Sequence, residues 1–266
     1  MISIIVEKNT GNDRLAIQRA IDLAKEQDVG TVVLNGGEWI VDGTIYLHDT
    51  VRLVLDGAIV KNLGAENNIV FANYNTSKSY HSLIEFCQTH ITVSGINGAK
   101  IIGGSILLSN VSFCLVEGVN FVDVNNFAII LASTLSVKVR DVSFENCANA
   151  VALGTGTRDC YFCNLSGNVK NNFFVIGDYL YEQFRRVHRY HMVLNVIIRN
   201  VTAKAKTFAY LYGRNVERIV FNNINAQVED IVFDIRQGKH ICVSGVTSNG
   251  KLVNDDVKEN AVCFVD

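Results

Sequence analysis

The chain has 266 residues, 48% of them hydrophobic and 19% charged, with a formal net charge of −2. That balance fits a globular protein of one large domain or two small ones, and it lacks the clustered basic excess that phosphate contacts to nucleic acid require. No stretch approaches the roughly 18 apolar residues of a membrane-spanning helix, so neither nucleic acid nor membrane is an expected partner.

The opening, MISIIVEKNTGNDR, has too short an apolar run and turns acidic too soon for an export signal. The expected location is the cytoplasm, or outside it (a virion included) if a leader has been removed. Residues 12–28, NDRLAIQRAIDLAKEQD, form the one convincing amphipathic helix. Leu15, Ala16, Ala20, Leu23 and Ala24 recur at helical spacing, and Asn12 or Thr10 is suited to cap its start.

From residue 93 onward the chain repeats itself. The phrases VSGIN, VEGVNF, VRDVSF, FCNLSG, IRNVTA, FNNINA and VSGVTS share a small or polar marker followed by an aliphatic residue. The markers are Gly95, Gly118, Asp141, Asn164, Asn200, Asn223 and Gly245, at spacings of 23, 23, 23, 36, 23 and 22. A second apolar phrase follows most markers: FAIIL, AVALG, FFVIG, AYLYG and IVFDI. Each period thus carries two or more strand-like runs and no regular leucine consensus, which separates it from a leucine-rich repeat.

Proline is absent and Asn occurs 28 times. Proline would break hydrogen-bond ladders, whereas Asn suits tight corners that need left-handed backbone. These features predict an all-β fold: a parallel β-solenoid of about 23 residues per coil, single-domain over 1–266. The helix, with its lead-in from residue 10, covers the N-terminal end, where core and strand edges would otherwise be open.

The 36-residue interval exceeds the others by 13, and the surplus follows FFVIG. Its sequence, GDYLYEQFRRVHRYHM over 177–192, is unlike the rest: three Tyr, a Phe, three Arg, two His, one Asp and one Glu. The expectation is a loop, 178–192, inserted at a corner, where solenoids accept extra residues and often build a binding face. The seven Cys of the chain read as reduced and mostly buried. Cys160 and Cys163, three apart in a strand, point to opposite faces and are poorly placed to share a metal or a disulfide.

The stretch NDRLAIQRAIDLAKEQDVGTVVLNGGEWIVDGTIYLHDTVRLVLDGAIV, residues 12–60, resembles the N-terminal part of pectin-lyase-like right-handed parallel β-helix proteins. It is especially similar to family 28 glycoside hydrolases (polygalacturonase-like), with their AIQxAID helix and GTIYLxSNVTLxLDxGA pattern. The resemblance implies a right-handed β-helix and inverting hydrolysis of a glycosidic bond by Asp residues on adjacent coils. Asn171 and Asn172 stand where that family carries its Asp-Asp pair, and no Gly-His-Gly or Arg-Ile-Lys occurs. An amide has no titratable proton in range for acid or base work. Asn126, Asn149 and Asn172 share one offset from their markers, so the alternative is a stacked amide ladder.

Candidate site residues therefore gather around the insertion. Asp178 and Glu182 are the paired carboxylates that glycoside cleavage needs, and His188 is the candidate proton carrier. Arg185, Arg186, Arg214 and Arg236 offer planar forks for a sugar carboxylate. Tyr179 and Tyr181 offer faces for sugar rings, and His191, Asp234, Asn171 and Asn172 complete the substrate-binding set. Counting fourteen residues from each marker sets Asp178 beside Arg214 and near Gln237 and Arg236. Asp234 falls at the position of Ile129, Ala152, Val175 and Leu211.

No cofactor is expected, and no metal either, because His188 and His191 have no third ligand at a natural spacing. Three functions compete. The first is a hydrolase acting on an acidic, uronate-containing poly- or oligosaccharide. The second is a noncatalytic carbohydrate-binding or assembly β-helix, trimeric as in phage tail spikes. The third is a polysaccharide lyase.

Overall fold

A computed structural model describes residues 3–8, 13–64, 68–74, 88–178, 192–213, 215–254 and 262–265. Inserted residues 179–191, Arg214 and the proposed caps Thr10 and Asn12 lie outside this set. The chain winds into a parallel solenoid of about nine turns. The described strand pairings are parallel and join each coil to the next.

One inward column shows the winding: Val93, Val116, Val139, Phe162, Ile198, Phe221 and Val243 pair in sequence. Their separations reproduce the marker spacings, including the step of 36. A second long interval precedes them, because Leu53 pairs with Val93, 40 residues on. The repeat reading missed that excursion.

Each coil has three strand runs, such as 138–140, 142–147 and 149–153, and these define three faces of the solenoid. The corner between the first two faces explains the markers. Gly118, Asp141, Asn164, Asn200, Asn223 and Gly245 all have φ between 54° and 68°, left-handed backbone that Gly, Asn and Asp adopt most readily. Gly118 is needed twice over, since a Cβ there would lie 2.1 Å from the Gly95 carbonyl oxygen.

The corner side chains also bond along the stack. Asn164 Nδ2 donates to Asp141 Oδ1 at 2.9 Å, Asn200 to Asn164 at 3.2 Å, and Asn223 to Asn200 at 2.8 Å. The next corner repeats the device with Asn146 donating to Asp123. Asp123 and Asp141 thus serve the ladders, and their acidity is spent on structure.

Inside, aliphatic columns flank an aromatic spine. Phe208 has ring contacts with Phe173, Phe174, Phe221 and Phe233 at centroid distances of 5.7 to 6.0 Å. Stacked and edge-on aromatic pairs add to the burial energy, so the spine ties three successive coils together.

The helix spans Arg14–Glu26 and buries Ile17, Ala20, Ile21 and Ala24. The apolar face is therefore rotated from the one expected: Leu15 and Leu23 are exposed, because the branched Ile17 and Ile21 take the inner positions. Asp13 precedes the helix without capping it and instead accepts a hydrogen bond from the Ile40 amide at 2.7 Å. His48 Nε2 meets Asp22 Oδ1 at 2.9 Å, and Gln18 bonds both polar backbone atoms of Tyr46, which pins the helix to the first coil. Among the described residues no helix is long and apolar enough to cross a membrane.

A test of the corner follows. Asn200→Ala keeps the left-handed backbone but removes both ladder bonds, and should lower stability by about 1–2 kcal/mol. Asn200→Gly loses the same bonds without the steric penalty, so it should lose less. Chemical denaturation of the three proteins reads the order; Ala equal to or better than Gly would mean that the corner conformation is not the constraint.

Candidate functional site

The third face is where the insertion leaves the solenoid. Its strands include Asn149–Leu153, Asn172–Ile176 and the ends of Val193–Leu211 and Val216–Ile235. Both long intervals open at the C-terminal edge of this face, one after Tyr74 and one after Asp178. Inward residues Ile129, Val151, Phe174, Ala209 and Phe233 join the core.

The alternate positions make an outward row: Ala72, Leu107, Ile130, Ala152, Val175, Tyr210 and Asp234. Its apolar members cluster apart from the main core, with Tyr210 and Tyr212 packed against them. Asp234 therefore occupies the column of Ala152 and Val175, as expected, but its other equivalents are Ile130 and Tyr210 rather than Ile129 and Leu211. It lies on the outer face.

At the insertion end the row becomes polar and aromatic. Tyr210 and Tyr212 stack with ring centroids 5.1 Å apart and planes 12° from parallel. Arg236 Nε approaches Asp234 Oδ1 at 2.7 Å, and Nη2 donates to Oδ2 at 3.2 Å. The closer approach is poorly aligned and leaves Oδ1 without a true hydrogen bond. Asp178 is half-buried and has no ion-pair partner among the described residues.

Arg214, the neighbour expected for Asp178, lies outside the described residues. Ile176 pairs with Leu211, which sets Asp178 over Gly213, and a Cβ on Gly213 would come within 2.5 Å of the Asp178 carboxyl. The cause is an irregularity at 205–207: Asn168 pairs with Lys204, 36 on, but Asn172 pairs with Thr207, 35 on. Counting from the marker therefore overshoots by one. Asp178 and Asp234 are two coils and three residues apart in register. At about 4.8 Å per coil and about 3.3 Å per residue their backbones lie roughly 14 Å apart.

Asn171 and Asn172 lie at the opposite edge of the face, six strand positions or about 20 Å from Asp178. Asn172 Nδ2 reaches Asn149 Oδ1 at 3.3 Å and its amide N–H donates to the same oxygen at 3.1 Å. From Asn126 the printed link is backbone only, its carbonyl accepting from the Asn149 amide. The amide ladder is thus present between 149 and 172. Tyr179, Tyr181, Glu182, Arg185, Arg186, His188, His191 and Arg214 lie outside the described residues. Tyr210 and Tyr212, which the sequence reading passed over, are signalled by the i, i+2 spacing in AYLYG, since alternate strand residues share a face.

No protein-family model matches the sequence, and no curated protein matches it. Among solved structures, a candidate glycosyl hydrolase from Parabacteroides merdae superposes with a TM-score of 0.58 at 15% identity, over 85% of this chain and 96% of that one. A mutant tailspike protein of E. coli bacteriophage HK620, in complex with a hexasaccharide, gives 0.58 at 13% identity over 91% of this chain. This chain spans 54% of that tailspike. PfbA, a surface adhesin of Streptococcus pneumoniae, gives 0.55 at 14% identity over 98% of this chain and 81% of that one.

The chain is a right-handed parallel β-helix. At these identities the likeness is one of fold.

Cys160 and Cys163 of the β-helix point to opposite faces, as the strand period requires: Cys160 lies in the core, and Cys163 is in an outward position where its neighbours still bury it. Among the described residues no group of His, Cys, Asp and Glu could hold a metal ion. Burial pushes the Cys114 thiol up to about 12 and the Cys160 thiol up to about 11, and thiolate is the reactive form. Brief alkylation of the folded protein at pH 8, with mass-spectrometric mapping, should therefore modify exposed Cys263 and spare Cys114 and Cys160 until the protein is unfolded. Early modification of Cys160 would contradict its placement inside.

Proposed function

We propose that this β-helix binds an acidic, uronate-containing poly- or oligosaccharide on the outer face of its third sheet, beside segment 178–192. The observation that carries the reading is the surface formed by Tyr210, Tyr212, Asp234 and Arg236 next to Asp178. Flat phenol rings suit the apolar faces of sugars. Arg236, oriented by Asp234, presents its remaining N–H groups to a carboxylate. Solved β-helix neighbours include a tailspike complexed with a hexasaccharide and a candidate glycosyl hydrolase, which supports a carbohydrate ligand.

Hydrolysis is the leading reaction. In it Asp178 and Glu182 are the carboxylate pair, with His188 as a further proton carrier. One acid protonates the glycosidic oxygen as the C–O bond breaks, while the other takes a proton from the attacking water. Arg185, Arg186 and Arg214 join Arg236 against the uronate, and Tyr179, Tyr181 and His191 extend the contact surface. Binding without cleavage is the second reading. The amide ladder favours it, since Asn171 and Asn172 stand where the resembled family carries its acid pair, and Asn172 is bonded to Asn149. Lyase chemistry, with Arg against the uronate and a basic side chain removing the proton, ranks third.

The test combines binding and turnover on a panel of uronate oligosaccharides. Arg236→Gln should weaken binding on the order of tenfold, the loss of one charge-assisted contact, with unfolding temperature unchanged because exposed ion pairs add little stability. Asp178→Asn and Glu182→Gln should each abolish release of reducing ends while retaining binding. Turnover that survives both substitutions removes the catalytic assignment. Binding indifferent to Arg236 removes the site.

A further inference from the structure

The first face of the β-helix carries a concentration of cations that the proposed site does not use. Along Lys138–Cys147, Tyr161–Val169 and Val193–Leu211 the residues either side of the inward Val139, Phe162 and Ile198 point outward. In register these are Lys138, Tyr161 and Ile197 in one column, and Arg140, Cys163 and Arg199 in the next. Two coils before Arg140, Ser94 continues the second column through Glu117, and Arg52 continues the first through Thr92 and Leu115.

The cations differ in how they are held. Arg140 makes a two-pronged contact with Glu117, Nε at 2.9 Å and Nη2 at 2.7 Å, and Ser94 Oγ donates to the other carboxylate oxygen at 3.0 Å. Arg52 reaches that same oxygen at 4.0 Å, and Asp141 lies 4.0 Å from Arg140. Lys138 and Arg199 have no carboxylate partner among the described residues. Instead both pack on Tyr161, Lys138 Nζ at 5.7 Å and Arg199 Cζ at 4.8 Å from the ring centroid. All four cations are exposed.

This is an unusual allocation for a protein of net charge −2. Four cations face two carboxylates, and the two cations left over are held on one aromatic ring, whose quadrupole attracts them without neutralising them. They stand two coils apart, with the coil of Tyr161 between them. The strands beneath them are rigid and stacked at about 4.8 Å, so Arg140 and Arg199, in one column two coils apart, are held roughly 10 Å from each other along the solenoid axis, with Lys138 beside Arg140. A fixed row of charges is complementary to an extended polymer with anionic groups at regular intervals.

We propose that the outer face carrying Lys138, Tyr161 and Arg199, with Arg140 beside them, is a second binding surface, for an acidic polysaccharide with carboxylate groups along its length. The surface is separate from the Asp178 and Arg236 site and holds its ligand by charge, whether or not that other site cleaves. Nucleic acid fits it less well. Such binders commonly need many phosphate contacts and an overall basic surface, and a single Tyr offers only one stacking platform.

Titration calorimetry on the full chain tests this, with a uronate homo-oligosaccharide, its methyl-esterified neutral form and single-stranded DNA of equal charge as probes. The proteins are the wild type, Lys138→Gln with Arg199→Gln, Arg236→Gln, and the variant carrying all three substitutions. Both substituted cations are exposed, so thermal unfolding should be unchanged in each variant.

In the Arg236→Gln protein the uronate oligosaccharide should still bind, with affinity falling as salt rises. Adding the Lys138 and Arg199 substitutions should weaken that remaining binding by roughly tenfold or more, and the methyl ester should not bind there. The inference is overturned if the double variant binds uronate as the wild type does, if the ester binds equally well, or if DNA binds more tightly. Loss of all binding in Arg236→Gln alone would overturn it too, while supporting the first site.

Discussion

Everything in this molecule depends on parallel pairing between successive coils at constant register. A strand in a solenoid has no turn partner to hold it; it is held by the coils before and after it. The pairing therefore has to place like residues over like, and the sequence must supply at every period an inward aliphatic, an outward polar residue and a corner able to take left-handed backbone. The Asp141, Asn164, Asn200 and Asn223 column meets the corner requirement and adds side-chain hydrogen bonds along the axis. The Phe173, Phe208 and Phe221 contacts do the corresponding work inside.

The same constraint explains where function can reside. Strands must repeat, but corners need only return the chain in register, so extra residues gather at corners. Both long intervals, 40 and 36 residues, open at one edge of the third face. Beside the second of them the outward apolar row gives way to Tyr210, Tyr212, Asp234 and Arg236. The opposite edge is tied by the Asn149 and Asn172 amides, so the two halves of the site foreseen in the sequence belong to different rims of one face. That separation follows from strand length alone. It leaves Asp178, on the insertion rim, without an ion-pair partner among the described residues.

The sequence was legible where structure repeats and less so where it departs from repetition. The marker spacings match the registers because a left-handed corner restricts the residue to Gly, Asn or Asp, and such a restriction can be read. The 40-residue interval escaped because the residue paired with the first marker, Gly95, is Leu55, which carries no corner signature. The register count for Asp178 is off by a single residue, since the pairing sets it over Gly213: the irregularity at 205–207 removes one position from a coil, and composition carries no trace of it. Helix amphipathicity is legible and Ala20 and Ala24 are buried as expected, but Ile17 and Ile21, rather than Leu15 and Leu23, complete the inner face. Both sets recur at helical spacing, and only packing against the first coil chooses between them.

The central claim is that the third face, at the coils of Tyr210 and Asp234, receives an acidic sugar chain. Amide hydrogen exchange of the protein with and without a saturating uronate oligosaccharide addresses it most directly. The account predicts added protection in peptides covering 207–213 and 231–237, centred where Tyr212 and Arg236 leave their strands. Protection confined to other coils, with these two segments unchanged, would contradict it.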